Sequence, residues 1–238
     1  MREQTFKLSD SVATSSSTER AAFIRRTYSH LAVAILGFIG VEYYLVHSPF
    51  AAKLASSMTG GMSWLVVIGL FMGVSYIANK LALSQTSQQM QYVGLGLFVI
   101  AEAIVFLPLL FIATFYAGGG LIQTAGLMTL LLVGGITATV FITKKDFSFM
   151  GSILSIGGFV ALGFILCSMI FGFSLGLVFA LVMVLFAAGS VLYTTSNILH
   201  QYRTDQHVAA ALSLFASVAL LFFYILQVLM SMGGGGDD

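Results

Sequence analysis

Charge is scarce in this chain: 8% of its residues are Asp, Glu, Lys or Arg, against about 25% in an ordinary soluble domain. A surface that poor in charge excludes a soluble globular protein, and no soluble core of this size could hide a hydrophobic share of 58%. Cysteine is nearly absent as well. The single one, Cys167, lies in an apolar run, which excludes an intramolecular disulfide and a multi-cysteine metal site and predicts a small buried apolar side chain. Only two prolines occur, and there is neither an internal repeat nor a pair of Gly- or Pro-broken spans of the kind that marks many secondary transporters. Catalytic signatures are missing too: no paired-acid membrane-protease pattern, no GxSxG, no HExxH and no phosphate-binding loop. The expectation is a chain that is not an enzyme, carries no cofactor and, with a formal net charge of +1, has no nucleic-acid partner.

What the chain does have is long apolar runs. A helix that crosses the roughly 30 Å hydrocarbon layer needs about 20 mainly apolar residues at about 1.5 Å each. Seven runs reach that length, at 28–46, 63–83, 90–117, 121–142, 149–171, 174–199 and 208–232. Backbone groups in a bilayer must be satisfied locally, so each run is predicted to be helical. The fold class that follows is an all-α integral membrane protein, a seven-transmembrane-helix bundle with membrane lipids around it. Residues 1–19 are polar, rich in Ser and Thr, and hold Glu3, Asp10 and Glu19. They are predicted to form a flexible tail ahead of a membrane domain at 20–232 and a Gly/Asp tail at 233–238.

Basic residues near span ends stay on the cytoplasmic side. With seven spans, Arg2, Lys7, Arg20, Arg25, Arg26, Lys80, Lys144, Lys145 and Arg203 share the N-terminal side, and Lys53 lies opposite. One span more or fewer would scatter them, so the pattern predicts a cytoplasmic N-terminus and a C-terminus across the membrane. Gly69 and Gly73 in the second run, and Gly157, Gly158 and Gly163 in the fifth, are expected to let helices approach within one monomer, with a dimer contact as the alternative.

Two acids stand inside apolar runs, where an ionised group costs upwards of about 2.5–3.5 kcal/mol. Glu42 follows the first span's middle and precedes Tyr43, Tyr44 and His47. It is read as an interfacial acid hydrogen-bonded to a tyrosine, or as part of an intramembrane proton or cation site. Glu102 lies midway along the third span among Val99, Ile100, Ala103 and Ile104, too deep to snorkel. Pro108 removes the backbone bond to the carbonyl of Ile104, leaving an acceptor near the acid and predicting a kink. Glu102 could hold a proton, a water or a cation, or it could be a neutral acid bonded to Ser or Thr on a neighbouring helix. Thr194, Thr195, Ser196 and Asn197 read as a capped polar end of the sixth span. His200, Arg203, Asp205 and His207 share the next loop, without metal-ligand spacing, so no metal site is predicted.

Three segments carry a family resemblance. TKKDFSFMGSIL, residues 143–154, joins the fourth and fifth spans; RAAFIRRTYSHLA, 20–32, leads into the first; YTTSNILH, 193–200, ends the sixth. Together they resemble the Bax inhibitor-1 family, in particular its bacterial YccA-like branch, over about residues 20–230. The motif residues so implied are Lys145, Asp146, Phe147, Ser148, Phe149 and Gly151. Some members are similar to a pH-sensitive calcium leak closed by two aspartates, whose positions here are Thr194 and Ser217. Both acids are missing, so that gate is not expected, and a leak of calcium or protons would need Glu102. The YccA-like branch implies instead a bacterial inner-membrane protein that modulates a membrane-anchored AAA+ metalloprotease in membrane-protein quality control; contact through the spans or through the flexible N-terminal tail is expected.

Overall fold

The computed structural model describes residues 11–59, 61–84 and 87–233. Eight helices follow in order: α1 Ser17–Val46, α2 Ala51–Met58, α3 Gly61–Ala82, α4 Gln88–Phe115, α5 Leu121–Thr143, α6 Met150–Phe171, α7 Gly176–His200 and α8 His207–Gly233. All but α2 are long and apolar enough to cross a membrane, giving seven spans. There is no strand among the described residues, and the only ladder feature is an isolated antiparallel bridge between Ser11 and Arg203.

The bundle is built around α8, which packs against α1, α3, α4, α5 and α7. Of its apolar stretch 72% is buried, against 6% for α6 at the periphery. Small residues explain the position: Ala209, Ala210, Ala211 and Ala219 are buried and let neighbouring backbones come close. Large apolar side chains on the outer helices, such as Leu70 on α3, Leu131 on α5 and Phe159 on α6, are exposed, as a lipid-facing surface requires.

Four expectations change. Helix α1 begins eleven residues before the apolar run, because Ser16 and Glu19 form a reciprocal capping box at its start. The second half of the expected flexible tail is fixed in place, with Val12 fully buried; residues 1–10 and 234–238, including Asp237 and Asp238, lie outside the described residues. The short α2, with Ala51, Ala55 and Met58 on its buried face, sits where a loop was expected. Cys167 is exposed rather than buried, because α6 turns it away from the bundle.

The glycines divide in the same way. Gly69 and Gly73 face open space, where an added Cβ meets nothing within 4 Å, so they do not serve the packing within the monomer that the sequence suggested. The close approach of α3 and α4 depends on Gly94, whose added Cβ would lie 2.6 Å from the Ala78 carbonyl oxygen and 2.7 Å from the Ala82 nitrogen. Those are backbone atoms and cannot rotate aside. Gly94→Ala should therefore lower stability by about 1–3 kcal/mol, seen as a reduced Tm in detergent, while Gly69→Ala leaves Tm unchanged. Equal Tm values for the two variants would contradict this account of the α3–α4 contact.

Candidate functional site

The three sequence motifs meet at one end of the bundle. The loop between α5 and α6 is turned by Lys144, which closes α5 in the left-handed region at φ 51° and donates its N–H to the Val140 carbonyl. Asp146 then accepts the Ser148 N–H at 2.8 Å, and the Phe147 N–H is donated to Ser196 Oγ of α7 at 2.8 Å. Gly151 opens α6 against Tyr193, leaving so little room that a Cβ would come 2.9 Å from the phenol oxygen. Lys145 is exposed, as is Phe149, whose ring pairs with that of Phe147. The Asp146 carboxylate is held below its ordinary range, first by the Ser148 N–H, then by the Ser148 hydroxyl, His200 and the Ser196 hydroxyl. A depressed acid contributes stability above its unfolded value and loses it as pH falls through the lowered one. Its contribution is therefore constant around neutral pH.

The first motif reaches the same end from α1. Tyr28 places its hydroxyl against those of Thr137 on α5 and Thr195 on α7, and none of the three oxygens completes a hydrogen bond. The rings of His30 and His207 lie 5.0 Å apart. Ahead of α1, Val12 N–H donates to the Tyr202 carbonyl at 3.0 Å. Arg20 fixes that turn, with Nε donating to the Val12 carbonyl at 3.0 Å and Nη2 to the Ala13 carbonyl at 2.6 Å. The result is a clasp between the start of the chain and the α7–α8 loop.

Along the α7–α8 seam runs a ladder of hydroxyls. Tyr202, whose phenol burial pushes above its ordinary range, donates to Ser213 Oγ at 2.9 Å. Ser217 donates to the Ser213 carbonyl at 3.1 Å, so its oxygen accepts from Ser190 at 2.9 Å and Thr194 at 3.1 Å. One donor and two acceptor lone pairs are all that a hydroxyl has, and Ser217 uses every one. The structure thus brings together Thr194 and Ser217, the two positions singled out by the family resemblance, and joins them with groups that do not titrate. Thr194, Thr195 and Ser196 are buried and face other helices, which corrects their reading as a cap: α7 continues to His200.

The two acids lie apart from this end. Glu102 is 7% exposed on α4, one turn from Phe98 and Phe106, and has no hydrogen-bond partner among the described residues. The expected bond to Ser or Thr of another helix is not formed, and α4 runs unbroken through Pro108. Glu42 is 5% exposed and neither carboxyl oxygen has a partner. The expected bond to a tyrosine is not formed: Tyr43 and Tyr44 point outward, while Glu42 continues the buried stripe of Leu31, Phe38 and Val46. In the α7–α8 loop Arg203 pairs with Asp205 at 2.8 Å, and no group of three or more metal-ligating side chains occurs among the described residues. Ser190, Tyr202 and Ser213 were missed from sequence. Their one signal was helical spacing, Ser190 with Thr194 and Ser213 with Ser217.

A family model described as inhibitor of apoptosis-promoting Bax1 matches residues 20–234, the stretch that contains all three converging motifs. The chain belongs to the Bax inhibitor family. An uncharacterized Pseudomonas aeruginosa protein is 32% identical over the whole of both chains. Bax inhibitor 1 of Schizosaccharomyces pombe is 29% identical over 94% of this chain and 82% of its own length. Protein LIFEGUARD 4 of Arabidopsis thaliana is 28% identical over 88% and 84%.

Ser217→Ala removes the acceptor shared by the buried Thr194 and half-buried Ser190 hydroxyls and should lower stability by about 1–2 kcal/mol, to the same extent at pH 6 and pH 8. Joint replacement Thr194→Asp and Ser217→Asp should make Tm vary across that interval, since two adjacent carboxyls cannot both ionise freely. Thermal melts in detergent at both pH values check this; a pH-dependent penalty for Ser217→Ala would contradict a neutral seam.

Proposed function

We propose that the chain is a non-enzymatic multi-pass protein of a bacterial inner membrane that restrains a membrane-anchored AAA+ metalloprotease by acting as a slowly extracted substrate. The observation that carries this reading is the clasp. Among the described residues, a protease that pulls from the N-terminal end first meets Ser11–Ser16, tied to Tyr202 and Arg203 of the α7–α8 loop, and next meets α1, packed on α4 and α8. Extraction must break the contact between the segment ahead of the first span and the loop ahead of the last before any span moves. The YccA-like character of the three motifs supports the same reading. The neutral Thr194–Ser217 contact supports it further, because the titratable pair of the leak-type members is absent. Arg20, Arg25, Arg26, Lys80, Lys144, Lys145 and Arg203 share the clasp end, which favours that end as the cytoplasmic one, where such a protease works.

Arg20→Ala combined with Val12→Ser should release the clasp and shorten the protein's half-life several-fold in membranes that contain the protease, with no change in membranes that lack it. Half-lives equal to the native chain's in both, together with no co-purification of the protease, would end this reading.

A second reading rests on Glu102: an unpartnered acid buried in the middle of α4 is expensive and marks a proton or cation path in many membrane proteins. Proton and calcium flux through purified protein in liposomes from pH 6 to 8 decides it. Flux present in the native chain and reduced tenfold or more in Glu102→Gln is the expected result for a leak. Flux no greater than that of empty liposomes removes the leak.

A further inference from the structure

The cavity beside Glu42 lies at the end of the bundle away from the clasp, and neither reading above uses it. It has a volume of about 440 Å³ and is bounded by α1, α4, the loop Gly118–Gly120 and the start of α5, with Phe222 of α8 at its back. That volume falls within the range of small-molecule sites, about 300–1,000 Å³. The walls are mainly apolar and aromatic, with Phe38, Tyr43 and Phe222 among them. Ile39 and Tyr43, also lining it, are exposed on the outside of the bundle, so the cavity is reached from the lipid side near the span ends.

Its polar lining is led by one acid. Both oxygens of Glu42 are buried without a partner, and no Lys or Arg lines the cavity. Thr114 spends its hydroxyl proton on the Leu110 carbonyl at 2.7 Å. His47 Nδ1 lies 2.8 Å from the Tyr43 carbonyl, which can only accept, so Nδ1 carries a hydrogen and is spent on that bond. Gln123 also lines the cavity and can donate or accept, so the one acid of the lining, left without a partner, sets the preference and asks for a ligand that brings donors and positive charge. A divalent metal ion does not fit, because hard cations take about six or more oxygen ligands and the cavity has a single carboxylate. An ammonium group does fit: its N–H bonds match the carboxylate, and aromatic faces attract its charge.

We propose that this cavity binds an organic ammonium, a protonated primary amine on a compact apolar body, with its nitrogen at Glu42 and its body against Phe38 and Phe222. The amine can come from a free lipophilic base or from the ethanolamine headgroup of a lipid. The two share their recognition chemistry, and the experiment separates them.

The test is isothermal titration of the full chain in phosphatidylcholine nanodiscs with 1-adamantylammonium chloride, using 1-adamantanol as the neutral control of the same shape. The expected result is saturable binding of one ammonium per chain, at least tenfold tighter than the alcohol, and weakened tenfold or more by Glu42→Gln. Gly119→Leu provides a second variant that keeps every acid: a Cβ at Gly119 meets nothing within 4 Å, so the side chain should fill the cavity mouth, abolish binding and leave Tm unchanged. Repeating the native titration with phosphatidylethanolamine in the nanodiscs assigns the source. An apparent Kd raised by the lipid identifies the headgroup as a competing occupant, and an unchanged Kd identifies free amines. Equal binding of amine and alcohol, or undiminished binding in both Glu42→Gln and Gly119→Leu, would overturn the proposal.

Discussion

Hydrocarbon offers no hydrogen bonds, and this bundle is organised by that deficit. Backbone groups are satisfied inside each helix, which leaves the side chains, hydroxyls for the most part, as the polar groups in want of partners. Most bond to the carbonyl one turn earlier on their own helix, as Thr114, Thr129, Thr139 and Thr143 do. Ser217 does this too, but because it sits on the most buried helix its lone pairs can be reached only from α7. The contact of Ser190 and Thr194 with Ser217 follows, and with it the register of α7 on α8. That register sets where Ser196 receives the α5–α6 loop and where Tyr202 receives the start of the chain.

Much of this was legible in the sequence, and the legible parts share a cause. Spans are written as long apolar runs, and the asymmetry of Arg and Lys is a property of positions along the chain, so both survive without knowledge of packing. The start of α1 is written in the sequence too, since Ser16 and Glu19 stand three apart, the spacing of a capping box. Two adjacent tyrosines suggest a hydroxyl partner for Glu42, yet the spacing Leu31, Phe38, Glu42, Val46 places the acid on the inner face, away from both. Periodicity was the better guide because a helix sends sequence neighbours in different directions.

What could not be read was the set of contacts between distant hydroxyls. Thr194 looks the same whether it caps its own helix or reaches Ser217, twenty-three residues away. Short elements were hidden for a similar reason. Helix α2 has eight residues, too few for its buried face of Ala51, Ala55 and Met58 to stand out from a loop. The two acids illustrate the limit best. Both interrupt apolar runs, but Glu102 is enclosed by the bundle and Glu42 borders an open cavity, a difference created by the helices around them.

The clasp also carries a consequence for how the chain is made. Ser11 bonds to the His200 carbonyl, 189 residues downstream, and Val12 to that of Tyr202. Neither partner exists until six of the seven spans have left the ribosome. A truncated or stalled chain keeps Ser11 and Val12 without these bonds, so the state of those two residues reports whether synthesis has reached the last loop.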